Sequence, residues 1–162
     1  MANYCDNNLY ITGEPEQLAR FIEKARGPKT DLSLQSIKPM PEDLRYANIS
    51  SQSEEESQWL YDEYGAADSF NWRMINWGTG REISISCLDV KEDGSAVYHF
   101  RTAWEPIGAR LLRSITSEFP GLKAEVRYAE PGRCFSGLTI SRDGWITEES
   151  REPYDPMEDN DE

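Results

Sequence analysis

The chain has 162 residues, a formal charge of −13 and 38% hydrophobic residues, with 5 Trp, 8 Tyr and 5 Phe. That length and apolar content suit one core, so a single domain over residues 1–147 is predicted, followed by a tail. The charge disfavours direct nucleic-acid binding, which needs lysines and arginines to neutralise phosphates. No apolar run reaches membrane-spanning length, and the N-terminus MANYCDNNLY lacks a basic-then-apolar leader, so a cytoplasmic protein is expected.

Three cysteines (Cys5, Cys87, Cys134) without a CxxC, and one histidine (His99), lack the parts for a disulfide framework or a zinc site. No metal and no cofactor are expected. The acidity is uneven: residues 31–65 sum to −6 and 142–162 to −7, while 106–141 sum to +2. It therefore belongs to one internal segment and one terminus.

In chain order, residues 3–12 alternate as a strand, with Leu9 and Ile11 on one face and Asn8, Tyr10 and Thr12 on the other, closed by Gly13. A helix opens at Glu14-Pro15, carries Leu18, Phe21, Ile22 and Ala25 on one stripe, and ends at Gly27-Pro28. Leu32, Leu34 and Ile37 suggest a second strand, stopped by Pro39-Met40-Pro41. An insert then spans about 42–81. In it, Ser53 with Glu54, Glu55 and Glu56 starts a helix that carries Trp59, Leu60 and Tyr64 to Gly65, and a second helix covers about 68–77 with Phe70, Met74 and Trp77 on one face.

Beyond the insert, Ile83, Ile85 and Cys87 alternate with serines, Asp93-Gly94 turns the chain, and Ala96, Tyr98 and Phe100 alternate with Val97, His99 and Arg101: a hairpin. Pro106 opens a helix with Leu111, Leu112, Ile115 and Phe119 as its apolar stripe. Ala124, Val126 and Tyr128 pair with 135–140 around Pro131-Gly132, and after Asp143-Gly144 the residues from Glu148 onward read as an acidic, mostly disordered tail. Two split β-α-β halves with helices on one face of an antiparallel sheet make an α+β, ferredoxin-like plan, with a Trp-rich helical insert between the halves.

Several segments resemble the YubB-like ferredoxin-like family of plasmid- and phage-borne proteins. They are Asn8-Leu9 with Gly13, Ile37-Lys38-Pro39-Met40-Pro41, Tyr64-Gly65-Ala66, Trp72 with Asn76-Trp77-Gly78-Thr79, Phe100-Arg101-Thr102-Ala103-Trp104, Phe119-Pro120, and Tyr128-Ala129-Glu130 with Gly132, Phe135 and Gly137. Gly80-Arg81 departs from the lysine and aromatic that the pattern leads one to expect. The resemblance implies the same fold and a mobile-element setting, with no established activity.

Two functional readings follow. In the first, the chain is a non-catalytic interaction module, monomeric, whose acidic surface (Glu54, Glu55, Glu56, Asp62, Glu63) mimics a phosphate backbone and docks a protein with a basic face. In the second, Asn76, Trp77 and Thr79, with Asp68, Trp72 and Trp104 as neighbours, grip a small ligand or nucleotide at the turn after the second insert helix, a reading that leaves an enzymatic role open. The competing structural reading of that turn makes Trp77 core and Gly78 a helix cap. An open sheet face with Tyr10, His99, Arg101, Lys123 and Arg127 suggests RNA only weakly, for want of an aromatic cluster. The terminal acids Asp155, Glu158, Asp159, Asp161 and Glu162 lack the glycine and spacing of a calcium loop. No GxSxG elbow occurs, and no cysteine has an activating partner close to it in sequence.

Overall fold

The structure, a computed structural model, describes residues 3–132 and 134–154. Its strands are β1 (Tyr4–Gly13), β2 (Ser86–Val90), β3 (Ala96–Ala103), β4 (Leu122–Glu130), β5 (Phe135–Arg142) and β6 (Trp145–Pro153). Its helices are α1 (Pro15–Ala25), α2 (Leu34–Ile37), α3 (Glu54–Tyr64), α4 (Ser69–Asn76) and α5 (Ala109–Glu118), with two 3-10 turns at Glu42–Leu44 and Ile49–Ser51. The strands form one antiparallel sheet in the order β2-β3-β1-β4-β5-β6.

The first four of these strands are the ferredoxin-like core. In the unit β1-α1-β2, β3 lies between the two parallel strands, and in β3-α5-β4 it is β1 that lies between them. This corrects one element of the sequence reading. The second strand of the first unit is β2, and the segment around Leu34 is the short helix α2, capped by Ser33. The insert accordingly enters between α1 and the strand that completes its own unit.

Local chemistry explains the helices. Glu14 caps α1 by accepting from the amides of Glu16 and Gln17, with Pro15 at the first position, where no hydrogen bond is lost. Ser53 accepts from Glu56 N at 3.1 Å to start α3, whose first-turn acids sit at the positive end of the helix dipole. Gly65, at φ 78, closes it in the left-handed conformation that glycine adopts without strain.

α1 and α5 cover one sheet face. Leu18, Phe21 and Ala25 from α1 and Leu111, Leu112 and Ile115 from α5 bury against Leu9, Ile11, Tyr98, Ala124 and Val126. Phe21 meets Tyr98 and Phe119 edge-on, at 6.0 and 5.7 Å between centroids. Asn7, 2% exposed, is the polar pin of this layer: its amide nitrogen donates to Cys5 O and Thr102 Oγ1, and its Oδ1 accepts from Ile107 N at 3.2 Å.

The C-terminal reading is also corrected. Residues 148–153, expected to be disordered, belong to β6, which runs antiparallel to β5 with a register shift at Ile140/Ser141. Backbone pairing, which is blind to side-chain polarity, holds a strand whose residues are nearly all exposed. Asp155, Glu158, Asp159, Asp161 and Glu162 lie outside the described residues.

Tyr98 is fully buried, yet its hydroxyl has no hydrogen-bond partner, and burial pushes its pKa far above the ordinary phenol value. Tyr98→Phe removes that desolvated group while keeping the ring, so urea unfolding is expected to show a gain of about 1 kcal/mol. A loss of stability in that measurement would mean the hydroxyl is satisfied.

Candidate functional site

The turn after α4 is a joint. Trp77, 2% exposed, donates its indole N–H to Lys38 O at 2.9 Å and meets Trp72 edge-on at 5.9 Å. Asn76 Nδ2 donates to Trp72 O at 2.9 Å, and the fully buried Thr79 donates its hydroxyl to Ala103 O at 2.9 Å. Gly78 sits at φ 89, where an added Cβ would come within 2.3 Å of Gly108 N, and Gly108 N donates to Trp77 O at 2.8 Å. The polar groups that would grip a ligand at this turn are thus engaged within the fold, joining the insert to the segment between β3 and α5.

Trp72, Asn76, Trp77 and Thr79 are brought together, and Trp104 stands beside them through Ala103. Trp104 is half-buried at φ 62, with the Arg81 guanidinium 4.8 Å above its ring. Asp68 is at the far end of α4, roughly 12 Å away at 1.5 Å rise per residue, where it caps the helix by accepting from Asn71 N at 2.7 Å. Trp77 also edges a cleft of about 410 Å³ that has Glu42, Arg45 and Arg73 on its rim.

The acidic residues occupy a different surface. Glu54, Glu55 and Glu56 form the first turn of α3, Asp62 and Glu63 its last, and all five are exposed. Between them Trp59 (54% exposed) and Tyr61 (60%) project from the same helix, while Leu60 anchors it to the core. Two clefts flank the helix. Tyr46 and Trp59 line one of about 400 Å³ with Asp43 and Glu56, and Ile49 and Tyr61 line one of about 530 Å³ with Glu54. Tyr64 donates its hydroxyl to Asp43 at 2.5 Å, and that hydrogen bond raises the phenol pKa above its ordinary value. The sequence marked the acids; which aromatics stay exposed depends on helix phase and packing.

The open sheet face, read as weak RNA ground, has its cations paired. Arg101 bonds Asp6 at 2.9 Å, while Arg127 and Lys123 both reach Glu125, at 2.9 and 3.4 Å. Such pairs lower the local positive potential that phosphates need. Among the described residues, no group of three or more His, Cys, Asp or Glu side chains could hold a metal ion, and no helix is long and apolar enough to cross a membrane.

Fold and surfaces together define a ferredoxin-like α+β protein extended by an acidic, aromatic-bearing helical insert and by two extra strands. Residues 86–162 match the family model described as a ferredoxin-like domain in Api92-like protein. Among solved structures, the chain is similar to a protein api92 from Yersinia pseudotuberculosis, with a TM-score of 0.56, 11% identity, and coverage of 96% of this chain and 100% of that one. At that identity the likeness shows the fold alone. No curated protein matches the sequence.

Gly78→Ala tests the joint. It forces a strained φ and a clash with backbone, so denaturant unfolding is expected to show a loss of about 3 kcal/mol. A loss below about 1 kcal/mol would mean that the contact with Gly108 yields freely.

Proposed function

We propose that the chain is a non-catalytic protein-interaction module of a mobile element, a phage or plasmid, which docks a protein with a basic face onto the acidic, aromatic surface of its insert. It works as a monomer in the cytoplasm and competes there with nucleic acid for its partner, as an inhibitor would. One observation carries this reading: a single helix, α3, presents Trp59 and Tyr61 to solvent between two acidic turns and beside two clefts. Exposed aromatics in clefts are the usual anchors of an interface, and surrounding charge steers the partner and selects its sign. Burying them when free would be cheaper, because each aromatic left in water forgoes the gain of removing its apolar area.

The support from charge is local. Over residues 42–65 there are seven acids and a single cation, Arg45, whose guanidinium sits 5.4 Å from the centre of the Tyr46 ring. Arg45 also pairs with Glu42 at 3.4 Å, so the remaining acids of the segment are the ones that meet a partner's lysines or arginines.

The test takes a partner captured by cross-linking, purifies it, and measures its affinity for the wild-type chain and two variants. Reversing Glu54, Glu55 and Glu56 to lysine is expected to weaken binding by about 100-fold, and Trp59→Ala by about 10-fold or more. Binding should also fall with added salt and be displaced by duplex DNA. A partner indifferent to both variants and to salt overturns the proposal.

A further inference from the structure

We propose that Cys87, His99 and Asn8 form a thiol-exchange site on the open face of the sheet, where Cys87 accepts the sulfur of a low-molecular-weight disulfide. The inference is independent of the docking surface on α3, which lies on another part of the fold.

The three residues come from three adjacent strands and form one cross-strand row. Cys87 of β2 pairs with His99 of β3, and His99 pairs with Asn8 of β1. Directly opposed residues project to the same face, with Cβ atoms about 4.5–5.5 Å apart. That face is the one α1 and α5 leave uncovered, since Leu88, Tyr98 and Leu9, one position along each strand, point into the core. The row borders a cavity of about 650 Å³, with Tyr4, Ile85 and Arg101 around it. Cys87 and His99 are both exposed, and Ile85, 79% exposed, gives the cavity an apolar edge next to the thiol.

His99 is oriented. Its Nδ1 lies 2.6 Å from Asn8 Oδ1. With the amide oxygen as acceptor, Nδ1 carries the proton and Nε2 is left as a base. The two ring nitrogens lie on opposite edges of the imidazole, and β3 stands between β1 and β2. An Nδ1 turned to Asn8 on β1 leaves Nε2 on the other edge of the ring, and the residue opposite His99 on β2 is Cys87. A thiol, a base beside it and a third group that orients the base are the parts an activated sulfur nucleophile requires.

The charged groups around the row are tied to one another. Arg101, two residues along β3, pairs with Asp6. Asp89, two along β2, pairs with Lys91, and Arg127, opposite Asn8 on β4, pairs with Glu125. His99 is left as the group positioned to take the thiol proton.

Disulfide exchange asks less of a site than acyl transfer, because no oxyanion has to be stabilised. The Cys87 thiol gives its proton to His99 Nε2, and the thiolate attacks one sulfur of the disulfide R–S–S–R. A new S–S bond forms between Cys87 and the attacked sulfur, giving Cys87–S–S–R, as the S–S bond of the incoming disulfide breaks. The departing R–S⁻ takes the proton back from His99 and leaves as R–SH. The Cys87 sulfur is oxidised to the disulfide level and the departing sulfur is reduced to a thiol, so no further oxidant is needed. The event is stoichiometric, which makes Cys87 a reversible modification site.

The other cysteines serve as internal standards. Cys134 is exposed and donates to Pro131 O at 3.4 Å. Cys5 is buried, and burial together with the nearby Glu105, Glu130 and Asp6 pushes its pKa up to about 12, so it is inert at neutral pH.

The experiment incubates the full chain with glutathione disulfide at pH 7 and follows the mass adduct on each cysteine by peptide mapping. Cys87 is expected to react about 10-fold faster than Cys134, with Cys5 unmodified. His99→Gln should slow Cys87 by about 10-fold, and Asn8→Ala should slow it by a smaller factor. The Cys134 rate, unchanged in each variant, reports that the fold is intact. Equal rates at Cys87 and Cys134, or a Cys87 rate indifferent to His99→Gln, overturn the proposal.

Discussion

The backbone contact between Trp77–Gly78 and Gly108 is the constraint on which the architecture depends. Sixty residues, 26–85, lie between α1 and β2, and the strand that completes the first β-α-β unit can pair with β3 only if they return to the right place. They do so by pressing a glycine with positive φ against a second glycine, with no side chain on either to hold the backbones apart. Trp77 then fills the volume beside the joint, and its indole nitrogen meets Lys38 O, so both ends of the insert are linked through one side chain. Thr79 adds the third tie, to the end of β3. Residues with the chemistry of a ligand site are here spent on closing a long excursion.

How much of this was legible depends on the range of the forces involved. α1, α3, α4 and α5 announce themselves because their caps and stripes are local: Glu14-Pro15, Ser53 with Glu56, Asp68, and Leu111 to Ile115 all act within one or two turns. The segment around Leu34 misleads because Leu32 and Leu34 are spaced as on a strand, while the local cap, Ser33, is joined by a remote group at the same helix start. Glu82 accepts from Leu34 N and Gln35 N, at 2.8 Å each, and from the Ser33 hydroxyl. No window of local sequence contains that carboxylate. β6 misleads for the complementary reason, since its pairing is carried by backbone, and its acids look like those of a solvated tail.

The candidate surfaces divide in the same way. Glu54, Glu55 and Glu56 could be placed on a helix start from sequence, because charge and capping are local. That Trp59 and Tyr61 face water while Leu60 is buried follows from packing against the core. The row of Cys87, His99 and Asn8 was beyond reach: His99 and Asn8 are 91 positions apart, and their meeting is set by the strand order β2-β3-β1. Sequence placed His99 on the face away from the core, which is correct, but a register has to be known before neighbours across strands can be named.

The exposure of β6 bears on what the molecule avoids. Among the described residues it is the last strand of the sheet, with no strand paired to its outer edge. Glu148, Glu149 and Glu152 stand along it. A second copy approaching edge to edge would bring the same carboxylates against its own, in a place where hydrogen bonding alone would otherwise welcome it. The acids of the C-terminal strand therefore place like charge along an open seam, where a second copy of the same strand is repelled by it.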